Sequence, residues 1–403
     1  MKRRGFIRLG LGLLGAWAPA AWGREIGPVH GRLKWDPAYL ALPPGERAPW
    51  AQWLARSDRL RQEETAIMAQ EVARAKRRRA SQAREGSSFS VPAKPEAWFG
   101  GAEARRIAEA LLTWQAPCGG WTKNTAMTRH PRALAQRWSP WGEWGYVATI
   151  DNGATTSQIE FLARVYRAGG GAACRDGAER GLRYLLKAQM PSGGWPQVFP
   201  LQGTYHDHIT FNDNAMTHVL IQLRNLKNGR VPWDWTDPAL RAECAAAVTR
   251  GIDCVLRCQV RVEGQATVWC AQHHAITAVP VGGRAYELAS LSGGESVEIA
   301  RFLMALGAPS AAVQQAVESA VAWFRRSAVD PAALGIKADG GPQWARFYEI
   351  GSNRPLFSDP DGRKRFSFSE VKAKRGSYAW FTGAPALLLN RDFPQWQRRL
   401  AAD

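Results

Sequence analysis

RIAEALLTWQAPCGGW (106–121) lines up without a gap on RGLRYLLKAQMPSGGW (180–195), and a third run, RGIDCVLRCQV (250–260), matches the second at Arg, Gly, Leu and Gln. The copies are spaced 74 and 70 residues apart. Each carries apolar residues at helical spacing, such as Leu182, Leu185 and Leu186, and each ends in a glycine pair or a polar turn. Between the copies lie further helical patterns. TIDNGATTSQIEFLARVYRA (149–168) places Ile159, Leu162, Val165 and Tyr166 on one face, with Asp151 and Asn152 just before it. NDNAMTHVLIQLRNL (212–226) repeats the arrangement with Asp213 and Asn214, and SGGESVEIARFLMAL (292–306) does so with Glu295 and Ser296. The unit is a helical hairpin of about 70 residues used three times. Repeats that cannot bury a face alone must stack or close on one another. Three hairpins closing into a ring predict a mainly α, (α/α)3 toroid with its helix-start loops on one rim, bringing residues near 151, 213 and 295 together. An open helical array is the alternative.

Outward from this core, the chain divides into four parts. Residues 1–23, MKRRGFIRLGLGLLGAWAPAAWG, read as an export signal: a basic start, an apolar run from Leu9 to Ala21 and small residues near the end. KRRGFIR resembles a twin-arginine signal, with general secretory export as the alternative. Residues 24–95 read as an N-terminal helical extension and linker, 96–390 as the toroid, and 391–403 as a C-terminal tail. The expected location is exported, periplasmic or secreted, with no stable membrane association.

In 403 residues, hydrophobic content of 45% and charged content of 22% are those of a globular protein. The formal charge is +18. Lys2, Arg3, Arg4 and Arg8 account for four of these charges, so the chain from residue 24 carries +14. Such a chain attracts polyanions. Export favours an anionic polysaccharide over nucleic acid, and a monomer is expected. The run AKRRRASQARE (75–85) reads first as a solvated helix face. Six cysteines lack any CxxC pair, which disfavours a zinc cluster; disulfides are open, without an assigned pairing.

Asp151, Asn152 and Asp213 are short oxygen donors at helix starts, where Asp and Asn also serve as N-caps. Their recurrence at equivalent points of two repeats favours a hard cation such as Ca2+. His206 and His208, two apart on a turn, are not spaced like zinc ligands. They read as hydrogen-bonded loop residues or substrate contacts. Lys123 beside Trp121, Arg284, Arg346 and Arg354 add cations near aromatic residues, which suits an acidic sugar.

The runs GGWTKN, TIDNGATTSQIEFLARVY, GGWPQVFP, HDHITFNDNAM, TVWCAQH, RAYELASLSGGES, WARFYEIGSNRP and GSYAWF, in this order over residues 98–382, resemble those of the family 10 polysaccharide lyases, which are pectate lyases. The resemblance implies an (α/α)3 toroid that cleaves de-esterified polygalacturonate by calcium-assisted β-elimination. It implies Asp151, Asn152 and Asp213 as calcium ligands and Arg284 as the base that removes the C5 proton. Lys123, Arg346, Arg354, Trp121 and His208 become candidate substrate contacts. An arginine base requires a strongly depressed pKa. Pro360 and Gln202 stand where the family often carries basic residues. A glycoside hydrolase with Asp151 and Asp213 as its carboxylate pair, and a non-catalytic polyanion-binding protein, are the alternatives.

Overall fold

The computed structural model describes residues 33–140, 148–330 and 341–402; the export signal lies outside them. The helices are α1 (Pro37–Leu40), α2 (Pro44–Arg74), α3 (Ala102–Thr113), α4 (Thr156–Arg167), α5 (Ala172–Ala188), α6 (Ala215–Lys227), α7 (Pro238–Cys258), α8 (Glu295–Met304), α9 (Ala311–Arg326), α10 (Ala384–Leu387) and α11 (Phe393–Leu400). Short links pair α4 with α5, α6 with α7 and α8 with α9. Helix α6 adjoins both α4 and α8 in an inner layer, and α3, α5, α7 and α9 follow one another outside it. The inner helices are covered on most of their faces. Of the ten residues of α8, eight are buried, whereas α7 buries eight of twenty-one. This is the helical toroid expected from the repeat.

Side-chain hydrogen bonds repeat with the sequence. The indoles of Trp121, Trp195, Trp269 and Trp344 donate to the carbonyls of Leu111, Leu185, Val255 and Phe324, at 2.8, 2.7, 2.7 and 2.9 Å. Each closes the loop after an outer helix onto that helix. Gln115, Gln189 and Gln259 each donate twice, once to their own loop and once to the next outer helix, at Gly177, Ala247 and Ala316. The repeat is thus locked within itself and to its neighbour by one glutamine amide, buried at Gln189 and half-buried at Gln115 and Gln259. The glycine pair has a steric cause. Gly193 has φ +88, and a Cβ there would lie 2.2 Å from the Arg250 carbonyl oxygen.

The extension is packed onto this body. Helix α2 buries Trp50, Trp53, Leu54, Ser57 and Glu64. Trp53 stacks on Phe199 with ring centroids 5.4 Å apart, and the Ser57 hydroxyl accepts from the Leu201 amide at 2.9 Å. At the other end of the chain α11 buries Phe393 and Trp396, and Asp392 accepts from the Arg301 guanidinium of α8 at 2.7 Å. All six cysteines are free and buried.

Candidate active site

Two of the inner helices, α4 and α6, begin in tight turns with left-handed residues. Asn152 (φ 51) lies in the turn Asp151–Gly153, and Asp213 (φ 50) and Asn214 (φ 61) start α6. Asn and Asp tolerate this region better than other side-chain-bearing residues. Capping is not the reason for these residues. Neither α4 nor α6 has a side-chain cap, and the Asp151 and Asp213 carboxylates turn instead to cations. The two turns pack against each other, and the second also packs against α8. The predicted convergence of residues 151, 213 and 295 is therefore present.

Asp151 is 1% exposed. Its Oδ2 accepts from the Lys123 ammonium, while its buried Oδ1 has no hydrogen-bond partner. The Arg346 guanidinium lies among three oxygens: Glu295 Oε1 at 2.6 Å, Asn212 Oδ1 at 3.2 Å and Asp213 Oδ1 at 3.3 Å. Burial opposes charge on Arg346, but Glu295, Tyr378 and Asp213 outweigh it and hold its pKa above the ordinary arginine value. Asp213 Oδ2 also accepts from the Asn212 amide at 3.0 Å. Asn152 is exposed beside Asp151.

A second group of residues stands next to Arg346. The Arg284 guanidinium makes a forked pair with Glu287, Nε to Oε2 at 2.9 Å and Nη2 to Oε1. Tyr378 donates to Glu287 Oε1 at 2.8 Å. The Tyr378 ring lies between two cations, with Arg346 at 4.8 Å and Arg284 at 5.5 Å from its centroid; Tyr286 lies 4.8 Å from Arg284. Burial works against the Arg284 charge, but the hydrogen bonds and charge of Glu287 prevail, so its pKa is raised. This is opposite in direction to what an arginine base requires.

The structure redistributes the other candidates. Trp121 is fully buried with its indole bonded to Leu111, so it is a core residue and offers no face to a sugar. Its position in the repeat, not its neighbour Lys123, determines its surroundings. His208 lies against His274, ring centroids 5.2 Å apart, and His274 in turn pairs with Asp36 of the extension at 3.0 Å. It is His206 that lies near the cations. Burial, then the charges of Lys123 and Arg284, push its pKa down to about 3. Arg354 stacks on Phe366, 3.9 Å from the ring centroid, and is exposed. Among the described residues no hydrogen bond, ion pair or ring contact joins it to Arg284 or Arg346. Glu287, Glu295, Asn212, Tyr378 and His206 complete the site. Tyr378 and Glu287 lie inside runs recognisable in the sequence, but nothing local marks them as partners of an arginine.

Three cations and four carboxylates thus meet at the inner-helix starts, and each cation is neutralised by a carboxylate in place. Such a site can exchange internal partners for the carboxylates of an acidic sugar. The hard oxygens of Asp151, Asn152 and Asp213, including the orphaned Asp151 Oδ1, fit a hard divalent cation.

The model of the family described as pectic acid lyase matches residues 115–389. A family 10 polysaccharide lyase from Cellvibrio cellulosa, solved as an aspartate-to-alanine mutant in complex with trigalacturonic acid, is similar at 34% identity and TM-score 0.64, covering 74% of this chain and 94% of that one. A second structure of a family 10 polysaccharide lyase from Cellvibrio cellulosa is 34% identical with TM-score 0.63, covering 77% and 98%. No curated protein matches the chain. The chain belongs to the pectic acid lyase family and is a lyase acting on polysaccharide.

Proposed function

We propose that this lyase cleaves de-esterified polygalacturonate by β-elimination, leaving a 4,5-unsaturated uronide at the new non-reducing end. The observation that supports this substrate is the convergence of Lys123, Arg284 and Arg346 on one rim, each already facing a carboxylate. A uronate carboxylate can take the place of such a partner. The similar structure in complex with trigalacturonic acid supports the same sugar.

Asp151, Asn152 and Asp213 would hold a calcium ion. When bound, calcium supplies charge withdrawal from the C6 carboxylate, which acidifies the C5 proton. Lys123 and Arg346, which contact those same ligands, orient the substrate carboxylates. Arg284, held protonated by Glu287 in the geometry seen, neutralises the negative charge that develops as the C5–H bond breaks. A role as the base requires the Glu287 pair to open and predicts activity that favours alkaline pH. In the elimination the C5 proton passes to Arg284 once its Glu287 pair has opened and its guanidinium has released a proton to solvent at alkaline pH, the C4–O bond breaks, and the departing glycosidic oxygen takes a proton from solvent. Tyr378 holds Glu287 and spaces the two arginines. Export follows from the reading of residues 1–23; among the described residues no helix is long and apolar enough to cross a membrane.

The test is ultraviolet absorbance of the unsaturated product, measured with the purified chain on polygalacturonate at alkaline pH, first with calcium and then with EGTA. Rising absorbance abolished by EGTA is expected. Rising absorbance that EGTA leaves intact would remove the metal assignment, and no absorbance on polygalacturonate but some on another polyuronate would move the substrate.

A further inference from the structure

The run of cations at residues 74–84 is not a helix face. Helix α2 ends at Arg74, Lys76 turns left-handed at φ 50, and Arg77, Arg78 and Arg79 follow outside the helix. Arg74, Lys76, Arg77, Arg78, Arg79 and Arg84 are all exposed. None of the six forms an ion pair among the described residues. The nearest preceding acid, Glu71, is turned away to accept from Arg132 at 2.5 and 3.1 Å and from the Ala135 amide at 2.9 Å.

The segment carrying these charges is held in place rather than loose. Ser81 donates its amide to Ala135 and accepts from the Arg137 amide, at 2.8 and 2.9 Å. The Arg84 carbonyl accepts from Ala126, and Gly86 donates to the Asn124 carbonyl at 3.0 Å. A Cβ on Gly86 would lie 2.8 Å from the Ala126 nitrogen, so the two strands of chain are in close contact. Ser88 Oγ meets Asn124 Oδ1 at 2.6 Å, and Asn124 follows Lys123. The basic run therefore leads along the toroid to the loop that bears the active-site lysine. It lies outside residues 115–389, which the family model matches.

We propose that Arg74–Arg84 forms a second, non-catalytic binding surface for anionic polysaccharide, which holds a long polyuronate chain beyond the catalytic site. The occupant is a polyuronate because the run is continuous with a loop that faces acidic sugar, and because no aromatic ring occurs from Arg74 to Ser88 to stack on nucleobases. With the backbone anchored at Ser81, Arg84 and Gly86, binding has the side chains to order rather than the chain that carries them. This surface rests on the reading of polygalacturonate as the substrate.

The experiment uses the full chain with Arg77→Gln, Arg78→Gln, Arg79→Gln and Arg84→Gln combined, its melting temperature matched to the parent. Mobility is measured in gels containing polygalacturonate, dextran or duplex DNA, and KM and kcat on polygalacturonate and trigalacturonate. The parent should be retarded by polygalacturonate alone and the variant much less. The variant's KM for polymer should rise at least about five-fold, as expected from losing four exposed contacts between arginines and uronate carboxylates, with its kinetics on the trimer unchanged. Equal retardation of parent and variant, an equal rise in KM on the trimer, or equal retardation by DNA would each overturn the proposal. A parent that is retarded through this run yet forms no product would leave the surface standing and remove the lyase reading of its substrate.

Discussion

Replacing Glu64 by Gln should make the protein more stable at pH 8 and leave it nearly unchanged at pH 4. Helix α2 drives this carboxyl into the body of the toroid, beneath the loop that begins the first repeat's GGW turn. Oε1 is buried without a hydrogen-bond partner. Burial pushes the Glu64 pKa from 4.5 up to about 7, against the opposing pull of the Cys118 hydrogen bonds and the Arg61 charge. The folded state therefore binds the proton more tightly than the unfolded chain. The stability this proton confers is complete below pH 4.5, falls between 4.5 and 7, and is gone above 7. A rise of this size corresponds to about 3 kcal/mol across the window. Gln keeps the shape and cannot ionise, so the variant's stability should lack that slope. Denaturant unfolding of parent and variant from pH 4 to pH 8 measures it. A difference that stays constant with pH, or that grows toward acid, would refute the reasoning.

Gly193→Ala should destabilise the chain by about 2 kcal/mol or more, since it combines a left-handed backbone with a clash at the Arg250 carbonyl; a thermal melt reads this. Arg284→Lys should keep part of the activity that Arg284→Ala loses, where removal of a charge-neutralising group costs about 100-fold in kcat. Glu287→Gln removes the partner that raises the Arg284 pKa, so a pH–rate profile whose limb belongs to Arg284 should move to lower pH. Asp151→Asn should weaken calcium binding measured by titration calorimetry while the melting temperature stays near that of the parent. Trp121→Ala should cost about 3–5 kcal/mol through loss of a buried ring, seen as a lowered melting temperature, whereas a surface sugar platform would lose affinity without that cost.

The sequence by itself determined the repeat, the toroid and the meeting of residues 151, 213 and 295. These depend on helical periodicity, on glycines placed where a Cβ cannot fit, and on Asp and Asn at sharp turns, all of them local signals. It also marked Lys123, Arg284 and Arg346 as cations near aromatics. Only the tertiary structure decided which carboxylate each cation faces, because Asp151, Glu295 and Asp213 lie 28, 51 and 133 residues from their partners. Likewise, His206 and His208 differ by one turn of chain, and the 3-10 turn Tyr205–Asp207 directs one to the cations and the other to His274. Trp121 looked like a platform beside a lysine, yet the fourfold indole bond assigns it to the core. The charge run at 76–79 reads as helix in composition, but the left-handed turn at Lys76 releases it from α2 onto the surface. In each case the residue type was local information, and its direction was a property of the packed ring.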